Sequence, residues 1–133
     1  MIDFPSDYFQ KMKFTPGQLQ QYLRSAENDL RIAQHSHVPE VIFKFSYDAF
    51  IKLGITMIAR QGYKVRSVVG HHMKIIEKFS QLLRNVDVGV FGNKMRKMRN
   101  IDFYNGGAFI TERDSKEFLL FVQSIFPRVP RVK

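Results

Sequence analysis

The stretch "NKMRKMRNIDFYNGG", residues 93 to 107, places Lys94, Arg96, Lys97 and Arg99 within six residues, follows them with Asn100 and Tyr104, and stops on two glycines. Guanidinium groups grip phosphate oxygens in bidentate pairs, an amide can hydrogen-bond them, and a phenol can donate a proton or stack on a base. These residue types suit a phosphate-bearing ligand. On its own, however, the same run also describes a solvated cationic face, favoured near a helix C-terminus by the helix dipole.

The chain as a whole leans the same way. Its 21 Lys and Arg against 12 Asp and Glu give a formal charge of +9. A surplus of that size attracts polyanions through counterion release, which makes nucleic acid the leading partner class. With 133 residues, 44% hydrophobic and 25% charged, the composition is that of one folded domain over residues 1 to 133 rather than a disordered or fibrous chain. The absence of cysteine excludes a disulfide framework and any thiolate zinc site. The start "MIDFPSDYF" lacks the basic and apolar regions of a secretory leader. The longest apolar stretch carries Lys44, Asp48 and Lys52, too many charges for a membrane span. A cytoplasmic location without a membrane partner is the expectation.

The elements that must position the cationic run read as helices. After an irregular start over 1 to 14, Thr15, Pro16 and Gln18 form a helix-opening signature, and Leu19, Tyr22, Leu23, Ala26, Leu30 and Ala33 continue it as one buried stripe. Pro39 suits the first turn of a second helix that runs to about Gln61 and stops at Gly62. That helix is apolar nearly all round, so it should be central. Ser67 is the expected cap of a third helix through about Leu83, with Met73, Ile76, Phe79 and Leu83 facing inward. "RNVDVGVFGN" is expected to connect into a fourth helix ending near Tyr104, because Gly106 and Gly107 continue a helix poorly. Thr111 with Asp114 caps a fifth helix with a stripe of Phe118, Phe121, Val122 and Ile125, closed by Pro127. The basic tail, 127 to 133, is expected to be loose. The predicted fold class is all-α, an up-and-down bundle of about five helices. On the fourth helix Phe91, Met95 and Met98 take the core stripe, leaving Lys94, Arg96, Lys97, Arg99 and Asn100 on the other faces.

Other candidates are less specific. His35 and His37 in "HSH" lack a nearby carboxylate and read as solvated rather than metal-binding. His71 and His72 can reach the cationic run from a neighbouring element, but read first as a surface pair near a helix start. Asp48, within an apolar helix, is expected to pair with Lys44 or Lys52 one turn away. No phosphate-cradling glycine loop, nucleophile elbow or metal-ligand run is present, and no cofactor is implied.

The segment "MRKMRNIDFY" resembles the M-R-x-x-R-N-x-x-x-Y signature of one branch of the HEPN family, small all-helical domains first described as nucleotide-binding. The preceding "YDAFIKLGITMIARQGYKVRS" is similar to the family's second helix and the basic turn after it, so the likeness runs from about Thr15 to Phe126. The resemblance implies a HEPN-like bundle that dimerises, with the fourth-helix motifs of two subunits lining a shared cleft. It also implies RNA or nucleotide as ligand. A small nucleotidyltransferase as partner in a toxin and antitoxin pair is an implied possibility. In ribonuclease members the motif is an arginine, a polar residue and then a histidine. Arg99 and Asn100 match the first two positions, and Tyr104 stands where the histidine should be.

Metal-independent RNA cleavage needs a proton acceptor, a proton donor and a cation on the phosphorane. Arg99 can supply the cation. A tyrosine with a reference pKa of about 10 is only about one part in a thousand phenolate at pH 7, so as a base it forfeits roughly 4 kcal/mol. On a regular helix Arg99 and Tyr104 also sit about 140 degrees apart, so they converge only across a dimer or where the helix ends. The sequence therefore favours binding through Lys94, Arg96, Lys97 and Arg99, with Arg99, Asn100 and Tyr104 as the catalytic set of a metal-independent endoribonuclease left open. The alternative is a non-catalytic interaction or dimerisation module. A major-groove helix-turn-helix reader fits less well, since the second helix is too long and apolar.

Overall fold

The computed structural model describes residues 2 to 104 and 110 to 131, and the side chains of residues 102 to 104 lie outside that description. Among the described residues it forms five α-helices, α1 Pro16–His35, α2 Pro39–Arg60, α3 His71–Leu83, α4 Val86–Tyr104 and α5 Glu112–Ile125, with two short strands, β1 Phe9–Lys11 and β2 Tyr63–Val65. The all-α bundle expected from the sequence is the fold. No described helix is long and apolar enough to cross a membrane.

Local chemistry sets most of the helix ends. Thr15 accepts from the Gln18 backbone N–H at 3.1 Å while the Gln18 side chain accepts from the Thr15 N–H at 2.8 Å, a reciprocal capping box. Thr111 accepts from the Asp114 N–H at 3.0 Å and caps α5 by that one bond. α2 ends at Gly62, whose φ of +87° costs a glycine little.

α2 is the central element. Thirteen of its 22 residues are buried, and it packs against all four other helices. Leu23, Ala26, Leu30 and Ala33 of α1 cover one side, and Ile75, Ile76 and Phe79 of α3 another. α5 adds Phe118, Val122 and Ile125, with Phe118 edge-on to Phe43 of α2 at 5.6 Å. Phe91 of α4 stacks on Phe121 at 4.4 Å. Met95 and Met98 of α4 are buried as their spacing predicts. Their burial turns the rest of that helix's polar residues outward.

Four expectations are corrected. The N-terminal segment is not irregular throughout: β1 pairs antiparallel with β2, with Phe9 opposite Val65 and Lys11 opposite Tyr63. Three-residue strands are too short to show an alternation in sequence. β2 holds residues 63 to 65 extended, α3 begins at His71 with Gly70 as its cap, and Ser67 does not cap it. Met73, expected to face inward, is 51% exposed, and Ile75 is in the core beside Ile76 and Phe79. The valine run is not a connection but the first turns of α4, opened by Asn85, whose Oδ1 accepts from the Asp87 N–H at 3.0 Å. The tail is anchored as far as Pro130: Val129 is buried, and Arg60 donates to the Pro130 carbonyl at 3.1 Å. Gly106 and Gly107, expected to end α4, lie outside the described residues.

Candidate functional site

The start of α3 and the end of α4 border a common hollow of about 330 Å³, lined by Gly70, His71, His72, Met73, Arg96, Arg99 and Asn100. Each residue arrives there for a local reason. Arg96, Arg99 and Asn100 recur at three- and four-residue spacing, so they share one face of α4 beside its buried methionines. His71 and His72 form the first turn of α3, which starts at Gly70 with φ of +81° and has no side-chain cap. The positive end of that helix dipole therefore faces the two arginines across the hollow.

Beneath His72 lies Tyr47 of α2, 1% exposed. Its Oη is 2.8 Å from His72 Nδ1. The Arg99 guanidinium sits over the same phenol ring, 5.7 Å from its centroid. Arg96 Nε donates to Asn93 Oδ1 at 3.4 Å, which orients that side chain along α4. Among the described residues no carboxylate lines the hollow. Asp48, the next residue to Tyr47, pairs with Lys44 at 3.0 Å. This is one of the two partners expected for it, while Lys52 goes to Asp29 at 2.7 Å instead.

Burial is the main cause of both pKa shifts at the site. It raises the Tyr47 phenol far above the ordinary value, against the opposing pull of Arg99 and Arg96. It also lowers the His72 imidazole to about 4, reinforced by His71, Arg99 and Arg96 and opposed by Asp48. Both groups are neutral near pH 7. Among the described residues the Tyr47 hydroxyl proton has His72 Nδ1 as its acceptor, so the pairing that satisfies both has the phenol donating and the imidazole proton on Nε2.

The structure brings together only part of the predicted set. Arg96, Arg99 and Asn100 line the hollow. Lys94 does not: its ammonium lies over the Phe118 ring of α5, 5.6 Å from the centroid. Lys97 is exposed outside the lining as well. The four cations are close in sequence, but at 100 degrees per residue they spread around α4 rather than converging. The Tyr104 side chain lies outside the described residues. His71 and His72 are not a detached surface pair, since they form the opposite wall of the hollow. Tyr47 and its bond to His72, 25 residues away, had no signal in the sequence beyond the tyrosine's place in the Tyr-Asp-Ala segment.

His35 and His37 are exposed, and His35 Nδ1 lies 2.8 Å from its own helix's Arg31 carbonyl. Two larger open hollows, about 570 and 620 Å³, flank the β ribbon and include Lys11, Lys13, Phe14 and Tyr22. Their described linings hold neither histidine nor carboxylate, and a further hollow of about 390 Å³ is lined by Glu27, Arg31 and His35. The smaller hollow is thus the one of these that joins two arginines to histidines without a carboxylate among its described lining residues. The chain matches no protein-family model, no curated protein and no solved structure.

Proposed function

We propose that this chain is a dimeric HEPN-type protein that binds RNA or a nucleotide through the hollow between α3 and α4. The observation that carries the reading is the convergence of Arg96 and Arg99 with His72 on one concave surface without a carboxylate among its described lining residues. Two guanidiniums, an amide and an imidazole are all donors to phosphate oxygens. The formal charge of +9 supplies the long-range attraction. The five-helix bundle and the R-N-x-x-x-Y run support the family reading. The cytoplasm is its expected location, and a small nucleotidyltransferase in a toxin and antitoxin pair is the partner it implies.

Turnover as a metal-independent endoribonuclease belongs to the same proposal. Arg99 is the cation for the phosphorane, and His72, its Nδ1 taken by Tyr47, adds a neutral hydrogen-bond donor beside it. The test is RNA binding and cleavage in excess chelator by the protein and its Arg99→Ala variant. Binding that weakens at least tenfold in the variant supports the site, and unchanged binding rejects it. Cleavage that persists in Arg99→Ala rejects the catalytic assignment.

A specific observation favours a second reading, an interaction or dimerisation module. Val86 and Val90 of α4 are 78% and 59% exposed one turn apart, and Leu120 of α5 is 65% exposed. Exposed aliphatic groups at helical spacing on adjoining elements suit contact with a second copy. If Val90→Glu dissociates a dimer while RNA binding is absent in both forms, this module reading replaces the first.

A further inference from the structure

The Tyr47 and His72 pair links the buried core to the hollow, and the direction of its hydrogen bond bears on the ligand. Because the phenol donates to Nδ1, the imidazole proton sits on Nε2, and His72 presents a donor rather than a base to the space shared with Arg96 and Arg99. The lining therefore offers donors from two helices: Nε2–H from α3, and two guanidiniums and the Asn100 amide from α4.

We infer that His72 touches the ligand, turned by Tyr47 so that its Nε2–H joins Arg96 and Arg99 on a terminal phosphate monoester, the charged end of a nucleotide or of an RNA chain. This rests on the phosphate-binding reading above and narrows it. A monoester carries three equivalent oxygens and close to two negative charges, matching three separate donor groups, whereas a bridging diester carries two such oxygens and one charge. A hollow of about 330 Å³, near the small end of the range for small-molecule sites, takes a chain end and not a duplex.

A bound dianion reverses the local electrostatics. The groups facing His72 are Tyr47 and Asp48 from α2, His71 from α3, and Arg96 and Arg99 from α4. Burial first, then His71 and the two arginines, oppose its protonation, and a bound phosphate offsets the part that comes from the neighbouring cations. Binding therefore raises the pH at which His72 takes up its second proton, at Nδ1, where the Tyr47 oxygen then accepts, and by linkage a protonated His72 binds the phosphate more tightly. Tyr47 is a positioning residue: it sets the tautomer and touches no ligand.

The experiment is an NMR titration of the His72 imidazole in the whole protein, free and with saturating adenosine 5′-monophosphate, with adenosine as the uncharged control. This readout separates His72 from the phosphate's own second ionisation, near pH 6. The free imidazole should titrate at about 4. With the monophosphate its midpoint should rise by at least one unit, a tenfold preference for the protonated form. His72→Gln should weaken monophosphate binding roughly tenfold or more, and adenosine should bind far more weakly than its monophosphate. In Tyr47→Phe, which keeps the buried ring, the imidazole nitrogen shifts should lose their bias toward the Nε2–H tautomer and monophosphate affinity should fall several-fold.

An unmoved His72 midpoint on monophosphate binding, or equal binding of adenosine, overturns the inference. A folded Tyr47→Phe with an unchanged tautomer overturns the role of Tyr47. Absence of monophosphate binding also overturns the inference, and RNA binding then separates the two levels. If RNA still binds and depends on Arg99, the cationic cleft stands without the terminal-phosphate reading; if it does not, both fall.

Discussion

Tyr47 Oη lies 2.8 Å from His72 Nδ1, joining the middle of α2 to the first turn of α3 directly under the Arg99 guanidinium. The hydrogen bond sets the tautomer of the imidazole and ties the first turn of α3 to the central helix, on which Ile75, Ile76 and Phe79 seat the rest of α3. His72 is thus a half-buried neutral imidazole in the folded protein, with consequences for stability as well as for binding.

The first is a pH dependence of folding. Burial, His71 and the two arginines hold the His72 pKa at about 4 against an ordinary 6.5, so between those values the unfolded chain binds more protons than the folded one. The stability His72 contributes is complete above about pH 6.5 and is lost as the pH falls toward about 4. Denaturant midpoints across that window should fall more steeply for the protein than for His72→Gln. Parallel curves would mean that His72 is not the group responsible.

Electrostatics of RNA binding give a second test. Removing one cation that pairs with a phosphate should reduce the slope of log affinity against log salt by about 0.7 for a single strand. Arg96→Ala with Arg99→Ala should therefore flatten the slope by about 1.4. Lys94→Ala should leave it nearly unchanged, because that ammonium is engaged over Phe118. Equal flattening by all three changes would point to a diffuse cationic surface instead of a cleft.

Packing under the site is tested at two glycines of the same helix. A Cβ on Gly92 would lie 2.7 Å from Phe50 Cζ and 2.8 Å from Ile76 Cγ2, both in the core. Gly92→Ala should cost about 1–3 kcal/mol in overpacking and push α4 away from α2 and α3. At Gly89 the nearest atom is Ser80 Oγ at 3.3 Å. Crowding there is offset by the roughly 1 kcal/mol that alanine gains over glycine in a helix, so Gly89→Ala should be close to neutral. Thermal midpoints of the two variants decide the contrast.

Two ion pairs on α2 should differ in worth. Lys52 Nζ is 2.7 Å from Asp29 Oδ2, whose side chain is only 8% exposed, and the interaction is one of charge rather than a well-aligned hydrogen bond. Removing that carboxylate with Asp29→Ala should cost about 2 kcal/mol, since it frees a charge from a buried partner across α1 and α2. The exposed Lys44 and Asp48 pair should contribute less than about 0.5 kcal/mol. Urea unfolding of Asp29→Ala and Lys44→Ala measures both.

The sequence by itself determined that there are five helices and where most of them end, because those signals are local. Thr15 with Gln18, Pro39, Gly62, and Thr111 with Asp114 each act within a few residues of the boundary they set, whereas the cap of α3 and the start of α4 were not among them. The apolar circumference of α2 also determined that it would be central. Short strand pairing was beyond reach, since β1 and β2 are three residues each and depend on partners more than 50 positions apart. The start of α3 at His71, with residues 66 to 70 between it and β2, places His71 and His72 in its first turn, beside α4. Membership of the site was decided in the same way. The cations of α4 are neighbours in sequence, yet helix geometry sends Lys94 toward Phe118 and Arg99 toward Tyr47. Only the packing of three helices decides which side chains share a space, because that depends on the angle at which each helix meets the others and not on any spacing within one of them.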